Sequence, residues 1–355
     1  MILAYPYHRF QGSHLEVGRQ YGEECRELIA RHYALVVERL GPDAIERALE
    51  YRPHVQRHAG FLDDEIRGLA EGAGLSLGQA YVLQLRAELN RTEGDDECTT
   101  FAALSEMTTD GRPLAGQNAD LPALYRELGV VVHIATRDQP DVLMLTPAGQ
   151  VSYIGINDRE LGVFGNFLRC DGWRVGFPRY LLTRLVLAHD AIAGALQALG
   201  EVPRASSRNL LMVDASDRAA DLETTPTQSC VLEPEDGLLV HSNHYVSEEL
   251  AGEERADPGR IENSRTRLDR IRQLLAARRG SLDARSMAQV FRDRETLPHA
   301  LCIHPGDRDG VDTVTFGSVI AEPGDGRIWV SSGPPSQTEY RCFSFSDGDR
   351  EEARL

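Results

Sequence analysis

The sequence predicts an α+β fold in which antiparallel sheets are covered by helices. Three observations carry that reading. Apolar residues recur at helical spacing through residues 14–90, short β-like stretches dominate after Cys98, and the later helices fall in blocks rather than alternating singly with strands. A parallel βαβ wheel would need the alternation that is missing here.

The helical half rests on Leu15, Val17, Tyr21, Leu28, Ile29 and Tyr33, then on Phe61, Leu62, Ile66, Leu69 and Ala70. Gly72-Ala73-Gly74 ends one helix, and Ser76 caps the next, which runs through Tyr81-Val82-Leu83. Residues 91–97 read as a polar, flexible loop open to processing. A β-branched apolar strand follows over 98–104, the turn Thr109-Asp110-Gly111-Arg112-Pro113 reverses the chain, and the return strand ends in Gln117-Asn118-Ala119-Asp120. Further strands are expected at 130–136, 142–146, 151–156 and 161–165, with helices at 178–189 and 191–199. Strands resume at 210–214, 219–223, 229–232 and 238–241. A basic helix near 260–279 and another near 284–291 precede closing strands at 312–320, 327–331 and 340–345. There is no internal repeat, and residues 346–352 read as an acidic tail.

At 355 residues the chain can bury a substantial core as one large domain or two small ones. A hydrophobic content of 41% and a charged content of 26% are ordinary for a soluble globular protein. The formal net charge of −17 argues against nucleic acid as a partner, because phosphate binding needs a basic face. No apolar run approaches the ~20 residues that span a bilayer, so no membrane association is expected. The start lacks a basic segment followed by a long apolar core, and the expected location is cytoplasmic. The six cysteines, at 25, 98, 170, 230, 302 and 342, form no CxxC pair. A disulfide framework or cysteine-rich zinc site is not expected.

Cys98 stands apart from the other five because it opens a strand straight after a polar loop. If the backbone is cut before it, one residue carries both a thiol nucleophile and an amine base. Those groups ordinarily titrate near ~8.5 and ~7.7–8.0, within reach of neutral pH. The amine can take the thiol proton and later give it to the leaving amine. Before the cut, the same thiol can attack the Glu97 carbonyl to give a thioester that water opens. The plainer alternative is a buried structural cysteine.

Other candidates surround this hairpin. Asp120 ends the return strand beside Cys98, although it also suits a turn before Leu121-Pro122. Asn243 and Asn166 each follow an apolar strand, where a bare Asn is less expected than Val or Thr. Either can donate to the oxyanion of a tetrahedral intermediate, a contact typically worth ~10²–10³ in rate, or serve as a turn residue. Arg267 can pair with Asp120 or favour the thiolate, with Arg265 as its rival. Arg260, Arg265, Arg267, Arg270 and Arg272 crowd one segment, which also fits a solvated helix face. His241, His244, His299 and His304 are the potential metal ligands, but His-x-x-His at a strand end is no zinc signature and no metal is expected. Arg169, Trp173, Phe177 and Tyr180 line a pocket or belong to the core.

A series of short motifs runs through the chain in a recognisable order. It comprises Glu71-Gly72-Ala73-Gly74, Gln84-Leu85-Arg86-Ala87-Glu88-Leu89-Asn90, Cys98-Thr99-Thr100, Gln117-Asn118-Ala119-Asp120, and Asn157 with Gly162-Val163-Phe164-Gly165-Asn166. Glu223-Thr224-Thr225-Pro226, His241-Ser242-Asn243-His244-Tyr245 and Asn263-Ser264-Arg265-Thr266-Arg267-Leu268 complete it. The series resembles the isopenicillin N acyltransferase-like family of autoproteolytic cysteine N-terminal-nucleophile hydrolases. The resemblance implies a four-layer αββα fold, with two stacked antiparallel sheets between helical layers. It also implies self-cleavage before Cys98, giving a helical α fragment (1–97) and a β fragment (98–355) that stay associated as one domain. Asp120 would then hold the new α-amine, and Ser264 is similar to a family serine linked with processing, though local capping would be its ordinary role. The implied substrate is a small N-acyl amine or acyl thioester, with no cofactor beyond a coenzyme A thioester as alternative acyl donor. Coenzyme A's phosphates would favour a basic patch, and 255–279 is the one arginine-dense stretch.

One position departs from the family pattern. Glycine usually precedes the nucleophile, and here Glu97 does. Glycine eases the strained backbone of self-cleavage. Glu97, with Asp95 and Asp96, also sets negative charge beside a thiol that must ionise. Slow processing, or a cut elsewhere, is therefore expected, and the rival reading is an unprocessed, non-catalytic binding protein on the same fold.

Overall fold

The computed structural model describes residues 4–90, 97–308, 310–346 and 348–355, so residues 91–96 of the expected processing loop lie outside the described residues. The first half runs β1 (Tyr7–Gly12), α1 (His14–Glu24), α2 (Arg26–Val37), α3 (Ala44–Leu49), α4 (Arg52–His58), α5 (Gly60–Ala73), α6 (Leu77–Gln84) and α7 (Arg86–Leu89). Strands β2 (Glu97–Ala103), β3 (Leu114–Pro122), β4 (Gly129–Thr136), β5 (Val142–Pro147), β6 (Ile154–Asn157) and β7 (Gly162–Phe164) follow, then α8 (Leu182–Leu187) and α9 (Ile192–Glu201). The chain closes with β8 (Arg208–Asp214), β9 (Arg218–Thr224), β10 (Ser229–Leu232), β11 (Leu238–His241), α10 (Pro258–Ala276), α11 (Ala284–Phe291), β12 (Thr313–Glu322), β13 (Arg327–Ser331), β14 (Tyr340–Ser344) and β15 (Gly348–Arg354).

These strands build two sheets, ordered β1-β4-β5-β6-β7-β8-β9-β10 and β11-β2-β3-β12-β13-β14-β15. Side-chain alternation decides the layers. In β4, Val130, Val132 and Ile134 face a core shared with helices α1 to α6, α8 and α9. Val131, between them, faces the gap between the sheets, where Leu143, Leu145 and Leu211 meet Ala119, Leu121, Phe316 and Val319 of the second sheet. The outer face of the second sheet, through Phe101, Val240 and Ile320, packs on Leu268, Ile271 and Leu275 of α10 and on Met287, Val290 and Phe291 of α11. The result is the expected αββα stack.

Several local expectations hold for identifiable reasons. Gly74 ends α5 in the left-handed conformation, and Ser76 starts α6 with a reciprocal capping box. Helices α1 and α5 touch backbone to backbone: a Cβ on Gly18 would lie 2.0 Å from the Glu65 carbonyl oxygen, and one on Gly68 2.1 Å from that of Leu15. The Gln84–Asn90 stretch docks the helical half on the strands. Gln84 donates to the Gly149 carbonyl at 2.7 Å and accepts from the Val151 N–H, while Glu88 accepts from the Arg179 N–H and the Ser206 hydroxyl.

Other elements differ from expectation. Strand β1 pairs with β4 in parallel, Tyr7 opposite Val131, so the first sheet is not wholly antiparallel. Its polar His8, Arg9 and Gln11 hide the alternation of an edge strand. Residues 151–153 stay outside β6 because side chains claim their backbone: Gln84 accepts from Val151 N, and Arg184 donates to Val151 O. The helix expected from 178 begins only at Leu182, since Glu88 takes the Arg179 N–H and Ser152 donates to the Tyr180 carbonyl. The acidic tail contains a strand, β15, paired with β14. Among the described residues no helix is long and apolar enough to cross a membrane.

A buried ion pair ties the two halves together. Arg184 of α8 makes two hydrogen bonds to Glu65 of α5, at 2.8 and 2.7 Å, and His14 Nδ1 lies 2.8 Å from the same carboxylate. Against the cost of burial, Arg184 and His14 hold Glu65 below its ordinary range. Arg184→Gln should therefore destabilise the protein by about 3–5 kcal/mol, the usual cost of leaving one buried charge without its partner, as read by chemical denaturation. An unchanged midpoint would show that the pair contributes nothing net.

Candidate active site

The site is assembled by register. Strand β3 sets Asp120 opposite Glu97 and Ala119 opposite Cys98. On the other side of β2, β11 places His241 opposite Thr100, which carries the following loop past the start of β2. That loop delivers Asn243, whose Oδ1 accepts the Cys98 backbone N–H at 2.7 Å.

Helix α10 supplies the central cation. Arg267 is 1% exposed, and its guanidinium donates to the Cys98 carbonyl at 2.6 Å, Thr99 Oγ1 at 2.8 Å, Asn243 Oδ1 at 2.8 Å and Asn263 Oδ1 at 2.7 Å. Arg265 is exposed, so the choice between them falls on Arg267. The helical stripe marks it: Asn263, Arg267, Ile271 and Leu275 recur every four residues and all are buried.

Asn243 is oriented by donors. Both groups that face its oxygen can only donate, so the oxygen, and not the amide nitrogen, must point at Cys98. Its Nδ2 donates instead to the Phe167 carbonyl at 3.0 Å. Ser264 is no cap, since Asp257 caps α10 and Ser264 lies inside the helix. Its Oγ accepts the Asn243 N–H at 2.6 Å and lies 2.7 Å from both Ser242 Oγ and His244 Nδ1, so it fixes the loop. Glu223 fastens the other end, accepting from His241 Nε2 at 2.7 Å, from the Val246 and Ser247 N–H groups and from the Ser247 hydroxyl. Against the cost of burial, Asp221 and Glu223 raise His241 to about 9, and the bonds from His241 hold Glu223 at about 2 despite its burial.

Asp120 is fully buried, and neither carboxylate oxygen accepts a well-formed hydrogen bond among the described residues. Burial pushes it up to about 6, against the pull of Arg267 and of the neighbouring Thr315 hydroxyl, which itself accepts from Ile303 N. Asn166 is also fully buried: its Oδ1 accepts from Thr100 Oγ1 at 2.8 Å, while its Nδ2 has no partner among the described residues. Gly165 beside it leaves room for Arg208, whose Nε would lie 2.6 Å from an added Cβ.

Glu97 does not bear on the site as a bare negative charge. Its Oε2 accepts from Arg308 Nη1 at 2.7 Å and from Asn263 Nδ2 at 3.3 Å, and Arg260 Nη1 lies 3.9 Å from Oε1. The repulsion expected from this residue is thus met by nearby cations. Arg308 carries no signal in the sequence; Asn263 stood there only as the first residue of the Asn263–Leu268 motif. Glu97, Asn243, Arg260 and Arg267 line a narrow recess together with Phe167 and Arg169. The last two continue into a cavity of ≈ 370 Å³ that includes Trp173, while Phe177 and Tyr180 are buried core. Arg179, unforeseen from the sequence, is 2% exposed with its guanidinium 4.0 Å from the Phe167 ring centroid. Among the described residues no cluster of three or more His, Cys, Asp or Glu could hold a metal; His241 is bound to Glu223, and His304 Nε2 lies 2.6 Å from Ser336 Oγ.

A model of the family described as acyl-coenzyme A:6-aminopenicillanic acid acyl-transferase matches residues 107–337. The chain belongs to this acyltransferase family. A relative, the 40 kDa form of acyl-coenzyme A:6-aminopenicillanic-acid-acyltransferase from Emericella nidulans, is 26% identical over 294 residues, covering 82% of this chain and 80% of its own. A variant of the conjugated bile acid hydrolase from Clostridium perfringens superimposes with a TM-score of 0.50 at 14% identity, over 71% of this chain and 98% of that one. Penicillin V acylase from Agrobacterium tumefaciens gives 0.49 at 12% identity, over 70% and 87%. The bile acid hydrolase likeness bears on the fold alone. The family match spans Asp120, Asn166, Asn243 and Arg267 and begins after Cys98.

In this acyltransferase-family member, Asp120 gives a pH signature in the uncut chain. Its folded pKa of about 6 exceeds the ordinary 3.8, so the protonated acid stabilises the fold below about pH 4, and that stability is lost as pH rises through 6. In a Cys98→Ala background, Asp120→Asn should therefore raise stability at pH 7 by up to about 3 kcal/mol and leave it unchanged at pH 3.5. Denaturation at the two pH values checks this, and equal effects at both would refute it.

Proposed function

We infer that this chain is a cysteine N-terminal-nucleophile enzyme that cuts itself between Glu97 and Cys98 and then cleaves the amide of a small N-acyl amine through a Cys98 thioester. The observation that carries this is the setting of the Cys98 nitrogen: an acceptor oxygen of Asn243 already on it, and in the neighbouring register position a buried carboxylate, Asp120, that accepts no well-formed hydrogen bond among the described residues. The uncut Cys98 amide has one N–H, and that is given to Asn243. A free α-ammonium would supply the missing positive donors.

In maturation the Cys98 sulfur adds to the Glu97 carbonyl carbon, the C–S bond forms, the C–N bond breaks, and the thiol proton passes to the departing nitrogen. Water then opens the thioester, leaving the Glu97 carboxylate and a free thiol. In turnover the α-amine takes the thiol proton, the sulfur attacks the substrate carbonyl, and the same proton goes to the leaving amine. Asp120 and Asn243 Oδ1 hold the amine. The unpartnered Asn166 Nδ2 and the second N–H of Asn243 are the donors for the oxyanion. Arg267 fixes Cys98 and Asn243 relative to each other.

Acyl transfer from a coenzyme A thioester is the related reading. Arg255, Arg260, Arg270 and Arg279 are each paired with carboxylates, which occupies much of the basic stretch that phosphates would need and favours water as acceptor.

Intact mass of the purified protein tests the proposal. Two fragments are expected, the larger starting at Cys98, with Cys98→Ala remaining a single chain. A single chain for the parent that also resists thiol alkylation would instead favour the non-catalytic binding protein.

A further inference from the structure

Glu97 departs from the glycine usual before such a nucleophile, and its side chain is seated rather than merely tolerated. Its carboxylate, side chain 9% exposed, sits between Arg308 Nη1, Asn263 Nδ2 and Arg260 Nη1. Arg308 is itself nine-tenths buried, and its Nε and Nη2 have no partner among the described residues, so the guanidinium has more donors than Glu97 uses. The recess lined by Glu97 and Arg260 shares Phe167 and Arg169 with the ≈ 370 Å³ cavity.

Glu97 is also the acyl group in the chain's first reaction. When its carbonyl moves from the Cys98 nitrogen to the sulfur, the thioester is an acyl-enzyme whose acyl part runs from carbonyl carbon through Cα, Cβ and Cγ to a carboxylate. That is the five-carbon skeleton of a glutaryl group. We propose that the Arg308–Asn263–Arg260 pocket is the acyl subsite of the mature enzyme, and that it selects N-acyl amines whose acyl group ends in a carboxylate at glutaryl spacing. The inference rests on Cys98 being the nucleophile. The cut frees Glu97 from β2 and vacates the pocket. An incoming glutaryl amide then places its terminal carboxylate on Arg308 while the Cys98 sulfur bonds to its carbonyl carbon. The C–N bond breaks, the amine departs with the proton carried by the Cys98 α-amine, and water releases glutarate.

A neutral chain of equal length would leave the buried Arg308 guanidinium without an acceptor, which sets the expected discrimination. The matured protein is assayed with glutaryl-4-nitroanilide and valeryl-4-nitroanilide, following 4-nitroaniline release and the acyl adduct on Cys98 by mass. The glutaryl compound should be preferred by about 10–100-fold in kcat/KM, the worth of a hydrogen bond to a charged group. In Arg308→Gln that ratio should fall toward one, the change lying mainly in KM. Equal turnover of both by the parent, with an adduct on Cys98, would overturn the subsite and leave the nucleophile standing. If neither compound reacts, 4-nitroaniline is not an accepted leaving amine, the nucleophile reading stays with the mass measurement, and binding judges the pocket alone. In the uncut Glu97→Gly, Cys98→Ala chain, titration calorimetry should detect glutarate but not valerate, and adding Arg308→Gln should abolish it. No glutarate binding there would sink the proposal.

Discussion

The Arg267 guanidinium is the point at which helix α10, strand β2 and the loop after β11 meet. Its hydrogen bonds go to neutral acceptors, the Cys98 carbonyl, Thr99 Oγ1 and the Asn243 and Asn263 side chains. A buried cation held this way gains geometry from its rigid fork, because each N–H direction is fixed by the plane of the group. It sets where strand β2 begins relative to the loop after β11. The Asn243 oxygen is turned toward Cys98 only because Arg267 and the Cys98 N–H are both donors.

The electrostatics of the site depend on burial more than on net charge. The chain is acidic overall, yet the charge that hydrogen-bonds Cys98 is the arginine Arg267, and Asp120 is raised chiefly because it is buried. Asp221 is likewise raised by burial to about 6, beneath Asn209, whose Nδ2 donates to both its oxygens, at 3.0 and 2.9 Å. Such groups respond strongly to one new charge. Freeing an α-ammonium beside Asp120 would be a change of that kind, which is how a single cut could turn an inert strand into a reactive one.

The two halves share their cores. Helices α1 to α6 bury their apolar faces against the first sheet, and the Glu65–Arg184 pair lies within that contact. A cut before Cys98 would therefore leave the α fragment bound, because separation would expose that core and strand two buried charges.

Much of this was legible in the sequence. The helical half, the Cys98 hairpin and its return to Asp120 follow from hydrophobic period and turn residues, which act over a few neighbours and so leave local traces. The Asn263, Arg267, Ile271 and Leu275 stripe was there to be read as well, and it separates Arg267 from Arg265. The sequence did not disclose that Arg308 and Arg260 would converge on Glu97, that Asn243 would present its oxygen, or that Arg179 would stack on Phe167. These contacts join residues far apart in the chain, and nothing local favours them. Composition and spacing determined which side chains are available for chemistry; packing decided which of them lose water and face one another, and that decision sets their charge, their partners and their use.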